Sequence, residues 1–154
     1  MPVSVSRRNL DPRPALVIRR KVATADVART LGEILPRVYE HAQQRGLPFA
    51  GPPFTRYLAF GPGLMTIEGG LPLAVAAPGE GEIEAVTLPG GPAAVAIHRG
   101  SYETLPETYA AIERWVEEQK LAAGGAPWES YLTDPADKPD PKDWETELVY
   151  PLAR

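Results

Sequence analysis

The residue with the clearest capacity for chemistry is Glu147, near the end of the chain. In residues 144–148 the alternation of a β-strand places Glu147 on one face with Glu145 and places Thr146 on the other. Glu68 has the same phase in an earlier segment of similar sequence. A carboxylate inside a dry cleft can act as a general base, or it can stay ionised opposite a ligand cation. We favour a cleft position for Glu147 over an exposed position on a strand.

Aromatic side chains that recur in similar segments are candidate ligand contacts. Tyr57 and Tyr131 each offer a stacking face together with a hydroxyl donor, although packing in the core is an equal alternative. Phe54 and Trp128 precede them at matching positions, and we expect these two to pack a hairpin more than to touch a ligand. Trp144 is a candidate cap for a pocket.

Three further residues complete the candidate set. Glu129 directly follows Trp128, which makes it a second candidate acid, with a surface position as the alternative. Tyr102 and His98 lie near a predicted strand-to-helix turn, and Tyr102 is a candidate ligand contact. A histidine there can shuttle protons, but without an evident nucleophile beside it we expect a structural role.

The composition excludes several kinds of site. The chain has no Cys and only His41 and His98, so it offers no thiolate nucleophile and no Cys-rich or His-rich metal site. None of its glycine-rich stretches has the spacing, followed by Lys and Ser or Thr, that binds phosphates. We therefore predict neither a metal nor a cofactor.

Length, apolar content and charge set the broad class of the protein. The chain has 154 residues, 44% of them apolar, which is enough for one core and predicts a single domain over residues 1–154. It has no apolar run of bilayer length and no signal peptide, so we expect a cytoplasmic protein without a membrane partner. The net charge of −4 gives no basic surface for nucleic acid.

Charge is distributed unevenly along the chain. Residues 1–80 carry 10 basic and 6 acidic groups, whereas residues 81–154 carry 6 basic and 14 acidic groups. An acidic half favours cationic ligands or a basic protein partner, and ordinary surface charge is the alternative.

The sequence repeats itself in three ordered places. The outer two matches have an offset of 79 residues and the middle match has an offset of 74. One compensated gap indicates a duplicated unit, with repeat one at about residues 1–76 and repeat two at about 82–152. The matched segments are Ile18-Arg19-Arg20 with Ile97-His98-Arg99, Pro53-Phe54-Thr55-Arg56-Tyr57-Leu58 with Pro127-Trp128-Glu129-Ser130-Tyr131-Leu132, and Glu68-Gly69-Gly70-Leu71-Pro72-Leu73 with Glu147-Leu148-Val149-Tyr150-Pro151-Leu152.

Each copy is predicted to fold as β-β-α-β-β. Helical spacing of apolar residues predicts one helix near residues 25–45, which Gly46 stops. It predicts a second helix that ends before Gly124, with an apolar stripe of Leu105, Tyr109, Ile112 and Val116. The predicted fold class is α+β: a tandem pseudo-twofold repeat with antiparallel sheets, one main helix per half and a ligand cleft between the halves. The predicted strands cover residues 3–8, 15–18, 55–60, 64–71, 82–88, 93–98, 128–133 and 145–150.

Several motifs together resemble the GyrI-like superfamily, which includes the effector-binding domains of AraC-type and MerR-type regulators as well as stand-alone proteins. The resemblance covers nearly the whole chain. It implies a central pocket lined by aromatic residues, with a buried carboxylate from the last strand, here Glu147, that engages cationic or polar ligands. The motifs are Gly51-Pro52-Pro53-Phe54-Thr55-Arg56-Tyr57, Leu88-Pro89-Gly90-Gly91, His98-Arg99-Gly100-Ser101-Tyr102, Trp128-Glu129-Ser130-Tyr131-Leu132-Thr133-Asp134-Pro135 and Glu147-Leu148-Val149-Tyr150-Pro151-Leu152.

The resemblance favours a small-molecule-binding module. In fused regulators the DNA-reading helix-turn-helix is a separate segment, and we find no room for one before Val3 or after Leu152, so we expect a stand-alone domain. Our leading hypothesis is an aromatic-lined acidic cleft for lipophilic, cationic or planar organic compounds, with a role in drug or toxin resistance or sensing. The residues expected to line it are Glu147, Tyr57, Tyr131, Trp144, Glu68, Glu129, Phe54, Trp128 and Tyr102.

Two other functions stay open at this point. Some relatives are associated with hydrolysis of cyclopropane-bearing alkylating compounds, for which Glu147, with Glu129, would activate water while Tyr131 or Tyr57 donates a hydrogen bond to the developing oxyanion. Another branch is associated with inhibition of DNA gyrase, for which the acidic half would be the contact surface with a protein partner.

Overall fold

A computed structural model of the chain describes residues 3–134 and 136–154. Met1, Pro2 and Pro135, the last residue of the motif that begins at Trp128, lie outside the described residues. The strands are β1 (Val5–Leu10), β2 (Arg13–Ala23), β3 (Phe54–Gly61), β4 (Leu64–Pro72), β5 (Ile83–Leu88), β6 (Gly91–Arg99), β7 (Trp128–Tyr131) and β8 (Glu145–Pro151). The helices are α1 (Val27–Gln44) and α2 (Leu105–Glu118), and 3-10 turns cover Thr24–Asp26, Tyr102–Thr104 and Pro141–Asp143.

The chain divides into two compact units. The central unit is Asp11–Gly90, and the terminal unit joins the residues up to Leu10 with Gly91–Arg154. Within the central unit the strand order is β3-β4-β2-β5, and within the terminal unit it is β7-β8-β6-β1. All these pairings are antiparallel. Helix α1 packs on β2 and β4, and α2 packs on β6 and β1. The predicted α+β class with antiparallel sheets is therefore confirmed.

The first strand of each predicted repeat pairs with a strand of the other repeat. Strand β1 pairs with β6, and β5 pairs with β2, although β2 and β6 are the strands that follow them in sequence. The connections are Asp11-Pro12 and Pro89-Gly90. A two-residue hairpin needs a turn with positive φ at its first central position, and proline or a residue before proline is unsuited to it. The compact units consequently differ from the predicted repeat boundaries at residues 76 and 82.

The pairing registers refine the match between the two units. Ala15 lies opposite Pro72, and Ala93 lies opposite Pro151. When the second strands of the hairpins are matched at the predicted offset of 79, Ala15 corresponds to Ala93, which is an offset of 78. The prediction that Ile18 matches Ile97 is therefore wrong by one residue. With the offset of 78, Arg19, which lies opposite Glu68, corresponds to Ile97, which lies opposite Glu147.

Each helix buries an apolar stripe on its own sheet. In α1 the buried positions recur every four residues, as the predicted helical spacing requires. No helix among the described residues is long and apolar enough to cross a membrane. The core of the central unit contains Leu16, Ile18, Ile34, Val38, Leu71 and Leu73, and that of the terminal unit contains Ala94, Ala96, Leu105, Ile112, Val116, Leu148 and Leu152.

The two helices end in the same backbone conformation with different residues. Helix α1 ends at Gln44, and Gly46, the residue predicted to stop it, follows with a φ of 65°. Helix α2 is followed by Lys120 with a φ of 59°, the sole non-glycine residue with positive φ in the described chain. The left-handed conformation costs a residue with a Cβ atom about 1–2 kcal/mol, whereas glycine adopts it freely. The glycine pair at 124 and 125 does not end the helix.

Lys120→Gly is expected to raise the free energy of unfolding by about 0.5–1 kcal/mol. Glycine removes the backbone strain of the folded state, but it also makes the unfolded chain more flexible, which offsets part of that stabilisation. Denaturant unfolding followed by circular dichroism measures the difference. Lys120→Ala is the matched control, since alanine keeps the Cβ atom and should change stability little. Equal effects of Gly and Ala would show that the conformation is not strained.

Candidate functional site

The most buried acidic group of the terminal unit is Glu129, on β7. Glu129 is only 3% exposed to solvent. Glu129 lies opposite Leu148 on β8, and Leu148 packs in the cluster that α2 covers. Because directly opposed residues of an antiparallel pair project to the same face, Glu129 lies on the helix-covered face of the sheet.

Two phenol groups bind the Glu129 carboxylate, one at each oxygen. The Tyr109 hydroxyl donates to Oε1 at 3.0 Å, and the Tyr131 hydroxyl donates to Oε2 at 3.1 Å. Tyr131 reaches it from the same strand two residues later, and Tyr109 reaches it from α2. Burial, followed by the charge of Glu129 and its hydrogen bond, raises the pKa of Tyr109 well above its usual range. Both phenols are neutral donors, so they disperse the carboxylate charge without cancelling it.

A row of aromatic rings leads outward from this carboxylate. The rings of Tyr131 and Tyr102 meet edge to face, with centroids 5.7 Å apart and planes at 61°. Tyr102 in turn packs on Trp144 at 4.8 Å, and it is 36% exposed. The Trp144 indole donates to the Lys138 carbonyl at 2.6 Å, which fixes the ring against its loop. We call Glu129, Tyr109, Tyr131, Tyr102 and Trp144 the acid–aromatic cluster.

The carboxylate of Glu129 influences Tyr102, at the exposed end of the aromatic row. Burial raises the pKa of Tyr102, and the negative charges of Glu129 and Asp134 raise it further. A negative charge that disfavours a phenolate at this position favours a cation there. The cluster thus places aromatic faces near the acidic groups of Glu129 and Asp134, and the pocket beside Trp144 is also lined by Arg99, Lys138 and Lys142.

Glu147 lies on the opposite face of the same sheet. Its neighbours in β8, Thr146 and Leu148, are buried, whereas the Glu147 side chain is 28% exposed. The residues opposite it are Ile97 on β6 and Ser130 on β7. Its carboxylate comes within 4.0 Å of Arg8 Nη1, at the limit of an ion pair.

Glu68, which corresponds to Glu147 in the central unit, is fully buried and closely paired. Arg56 binds its Oε1 at 2.7 and 2.9 Å, and Arg19 binds Oε2 at 2.7 Å. The hydrogen bond to Glu68 raises the pKa of Arg19. Arg19 and Arg56 occupy the positions opposite Glu68, where Ile97 and Ser130 stand opposite Glu147.

The remaining predicted site residues have varied surroundings. Phe54 is 1% and Trp128 is 6% exposed, which agrees with the expected packing role. Tyr57 lies in the central unit opposite Ile67 and is partly exposed. His98 is buried, with Nδ1 2.6 Å from the Thr108 hydroxyl. Its Nε2 lies 2.9 Å from the Ser101 carbonyl in the turn after β6, so the imidazole connects the strand to that turn, in agreement with the expected structural role.

The structure brings four of the predicted residues together: Glu129, Tyr131, Tyr102 and Trp144. Tyr131 contacts Glu129, whereas the hydrolytic hypothesis associated it mainly with Glu147. Sequence reasoning missed Tyr109, which it assigned to the apolar stripe of the second helix. A tyrosine on a buried helical face needs a partner for its hydroxyl, and this requirement was the available signal.

The family of this chain follows from its similarity to known proteins. The model of the GyrI-like small molecule binding domain matches residues 4–153. This chain belongs to the GyrI-like family. The predicted resemblance is thereby confirmed, and no curated protein matches the chain.

Several solved structures share the fold at low sequence identity. The C-terminal domain of EcmrR is 22% identical with a TM-score of 0.86, covering 100% of this chain and 99% of that domain. In the EcmrR–DNA complex the chain spans only 58% of EcmrR. SAV2435 bound to tetraphenylphosphonium is 11% identical with a TM-score of 0.66, covering 97% and 94% of the chains. A hydrolase from Listeria innocua is 13% identical with a TM-score of 0.65, covering 99% and 94%.

Tyr109 is expected to make stability fall at alkaline pH. Its pKa in the folded protein is raised above the value of about 10 in an unfolded chain. Above pH ~10 the native state therefore holds a proton that the unfolded state releases, and each pH unit lowers the unfolding free energy by up to about 1.4 kcal/mol.

Urea unfolding at a series of pH values from 9 to 11.5 tests this expectation. Tyr109→Phe should flatten the fall above pH ~10. Tyr39→Phe, which removes a tyrosine that is 47% exposed, serves as the control and should keep the wild-type slope. Parallel curves for all three proteins would contradict the assignment.

Proposed function

We propose that this GyrI-like domain binds lipophilic, cationic or planar organic molecules at the acid–aromatic cluster, in a role of drug or toxin sensing or sequestration. The observation that carries the proposal is geometric: buried Glu129 is hydrogen bonded to Tyr131, and Tyr131 packs edge to face on Tyr102, the ring that is partly open to solvent. A ligand bound at that ring gains an aromatic contact and a favourable charge interaction together.

The aromatic row supplies the contact surface. A cation over the face of a tyrosine or tryptophan gains about 0.5–2 kcal/mol, more where water is excluded. Trp144 is oriented by its hydrogen bond to the loop, and Tyr102 is packed between two rings, so little side-chain freedom is lost on binding. Delocalised cations and flat aromatic molecules match this surface better than compact, strongly hydrated ions.

The tetraphenylphosphonium complex of SAV2435 supports the choice of a lipophilic cation as the first probe. The matching strand orders of the two units support the tandem repeat inferred from the sequence. Glu147 is the second candidate carboxylate. It lies on the opposite face from Glu129, so one small ligand within the terminal unit cannot contact both directly.

Glu129→Gln is expected to weaken tetraphenylphosphonium binding by at least about fivefold, because a unit charge several ångströms away contributes on the order of 1–2 kcal/mol at a partly screened site. Isothermal titration calorimetry measures the dissociation constants. Glu118→Gln, an exposed position of the same unit, controls for the loss of net charge and should change affinity less than twofold.

Glu147→Gln in the same titration separates the two carboxylates. Binding that depends on Glu147 and not on Glu129 would move the site to the opposite face of the sheet. Affinity unchanged in both variants would refute an acidic binding site.

Hydrolysis is the second candidate function, and the Tyr131–Glu129 hydrogen bond favours it. Glu129 would take a proton from water as the water attacks a cyclopropane carbon. The carbon–carbon bond would break with its electron pair moving into a conjugated carbonyl, and Tyr131 would turn its hydroxyl to that oxygen. The hydrolase from Listeria innocua that shares this fold supports testing for hydrolysis.

A cyclopropane-bearing, carbonyl-conjugated electrophile incubated with the protein should then yield a water adduct detectable by mass spectrometry. Tyr131→Phe should slow its formation by about 10²-fold or more, as for the loss of an oxyanion donor, and Glu129→Gln should abolish it. Intact electrophile recovered from the wild-type protein would limit the function to binding.

A further inference from the structure

One buried hydroxyl of the terminal unit has no partner in the described chain. The Thr146 side chain on β8 is completely buried, and its Oγ1 makes no hydrogen bond with any described residue. No described residue replaces the hydrogen bonds that this group makes with water in the unfolded chain, and buried hydroxyls in proteins generally have a protein, solvent or ligand partner. Thr146 therefore calls for a partner from outside the chain.

The side chains beside Thr146 are engaged elsewhere. Thr146 lies opposite His98 on β6 and opposite Tyr131 on β7, so all three project to the same face. His98 uses Nδ1 for Thr108 at 2.6 Å and Nε2 for the Ser101 carbonyl at 2.9 Å. The Tyr131 hydroxyl donates to Glu129. The Thr146 hydroxyl is thus left with its donor and its lone pairs at the inner edge of the acid–aromatic cluster.

We propose that Thr146 determines specificity by hydrogen bonding to a polar group of the bound ligand. The inference rests on the proposed function and narrows the ligand class to planar cations that carry a hydrogen-bonding group, such as an aromatic amine. The ligand stacks on the ring of Tyr102, the exposed member of the row, and its polar edge extends inward along Tyr131 to Thr146. A purely hydrocarbon cation gains nothing from this hydroxyl.

Two probes and two substitutions test the proposal. The probes are proflavine, a planar cation with amino groups, and tetraphenylphosphonium, which has no hydrogen-bonding group. Thr146→Val keeps the shape and removes the hydroxyl, and Thr146→Ser keeps the hydroxyl. We expect Thr146→Val to weaken proflavine binding about three- to tenfold, as for one hydrogen bond, and to leave tetraphenylphosphonium within twofold. Thr146→Ser should retain the proflavine affinity.

Thermal unfolding of the ligand-free proteins provides an independent readout. Thr146→Val should raise the melting temperature, because the valine buries no unsatisfied polar group. Thr108→Val is the matched control and should lower it, because the Thr108 hydroxyl has a partner in His98.

The outcomes distinguish this inference from the proposed function. Wild-type protein that binds neither probe overturns both. Weaker binding of both probes by Glu129→Gln, together with wild-type affinity for both in Thr146→Val, leaves the proposed function standing and overturns the role of Thr146. That second result would assign the hydroxyl to an ordered water instead of a ligand.

Discussion

The need to compensate buried carboxylates dominates the polar architecture of both units. An ionised carboxylate removed from water is stable only where donors or cations replace its hydration. Glu68 meets this requirement with two arginines on the flanking strands. Glu129 receives two neutral phenols from β7 and α2. The first solution surrounds the carboxylate with opposite charge, and in the second the two phenol donors carry no charge and one of them belongs to a row of aromatic rings.

The same strand position carries different consequences in the two units. Arg19 and Arg56 stand opposite Glu68, whereas Ile97 and Ser130 stand opposite Glu147. An arginine at both positions closes an ion-paired cluster inside the central unit. An apolar residue and a small hydroxyl leave Glu147 partly exposed, with Arg8 at a distance where the attraction is weak and screened. One backbone pattern thus holds a structural ion cluster in one unit and an accessible carboxylate in the other.

Much of this could be predicted from the sequence, because strand alternation and helical spacing are local properties. They predicted both helices, the strand order along the chain and the placement of Glu147 on the face away from Thr146. Pairing between distant strands is not local, which is why the exchange of β1 and β5 between the predicted repeats and the one-residue shift at Ile97 were missed. The burial of Glu129 was not predicted either, since it depends on how α2 covers β7.

Tyr109 illustrates why a site is harder to predict than a fold. Its helical spacing is that of a core residue, and its ring does face the sheet with the apolar cluster. Only the meeting of α2 with β7 brings its hydroxyl to Glu129. For Thr146, the strand face was predictable from the sequence. That no described residue hydrogen bonds its hydroxyl is evident only from the structure, in which His98 and Tyr131 bind other groups. The proposed site thus depends both on hydrogen bonds completed within the protein and on a Thr146 hydroxyl for which no described residue is a partner.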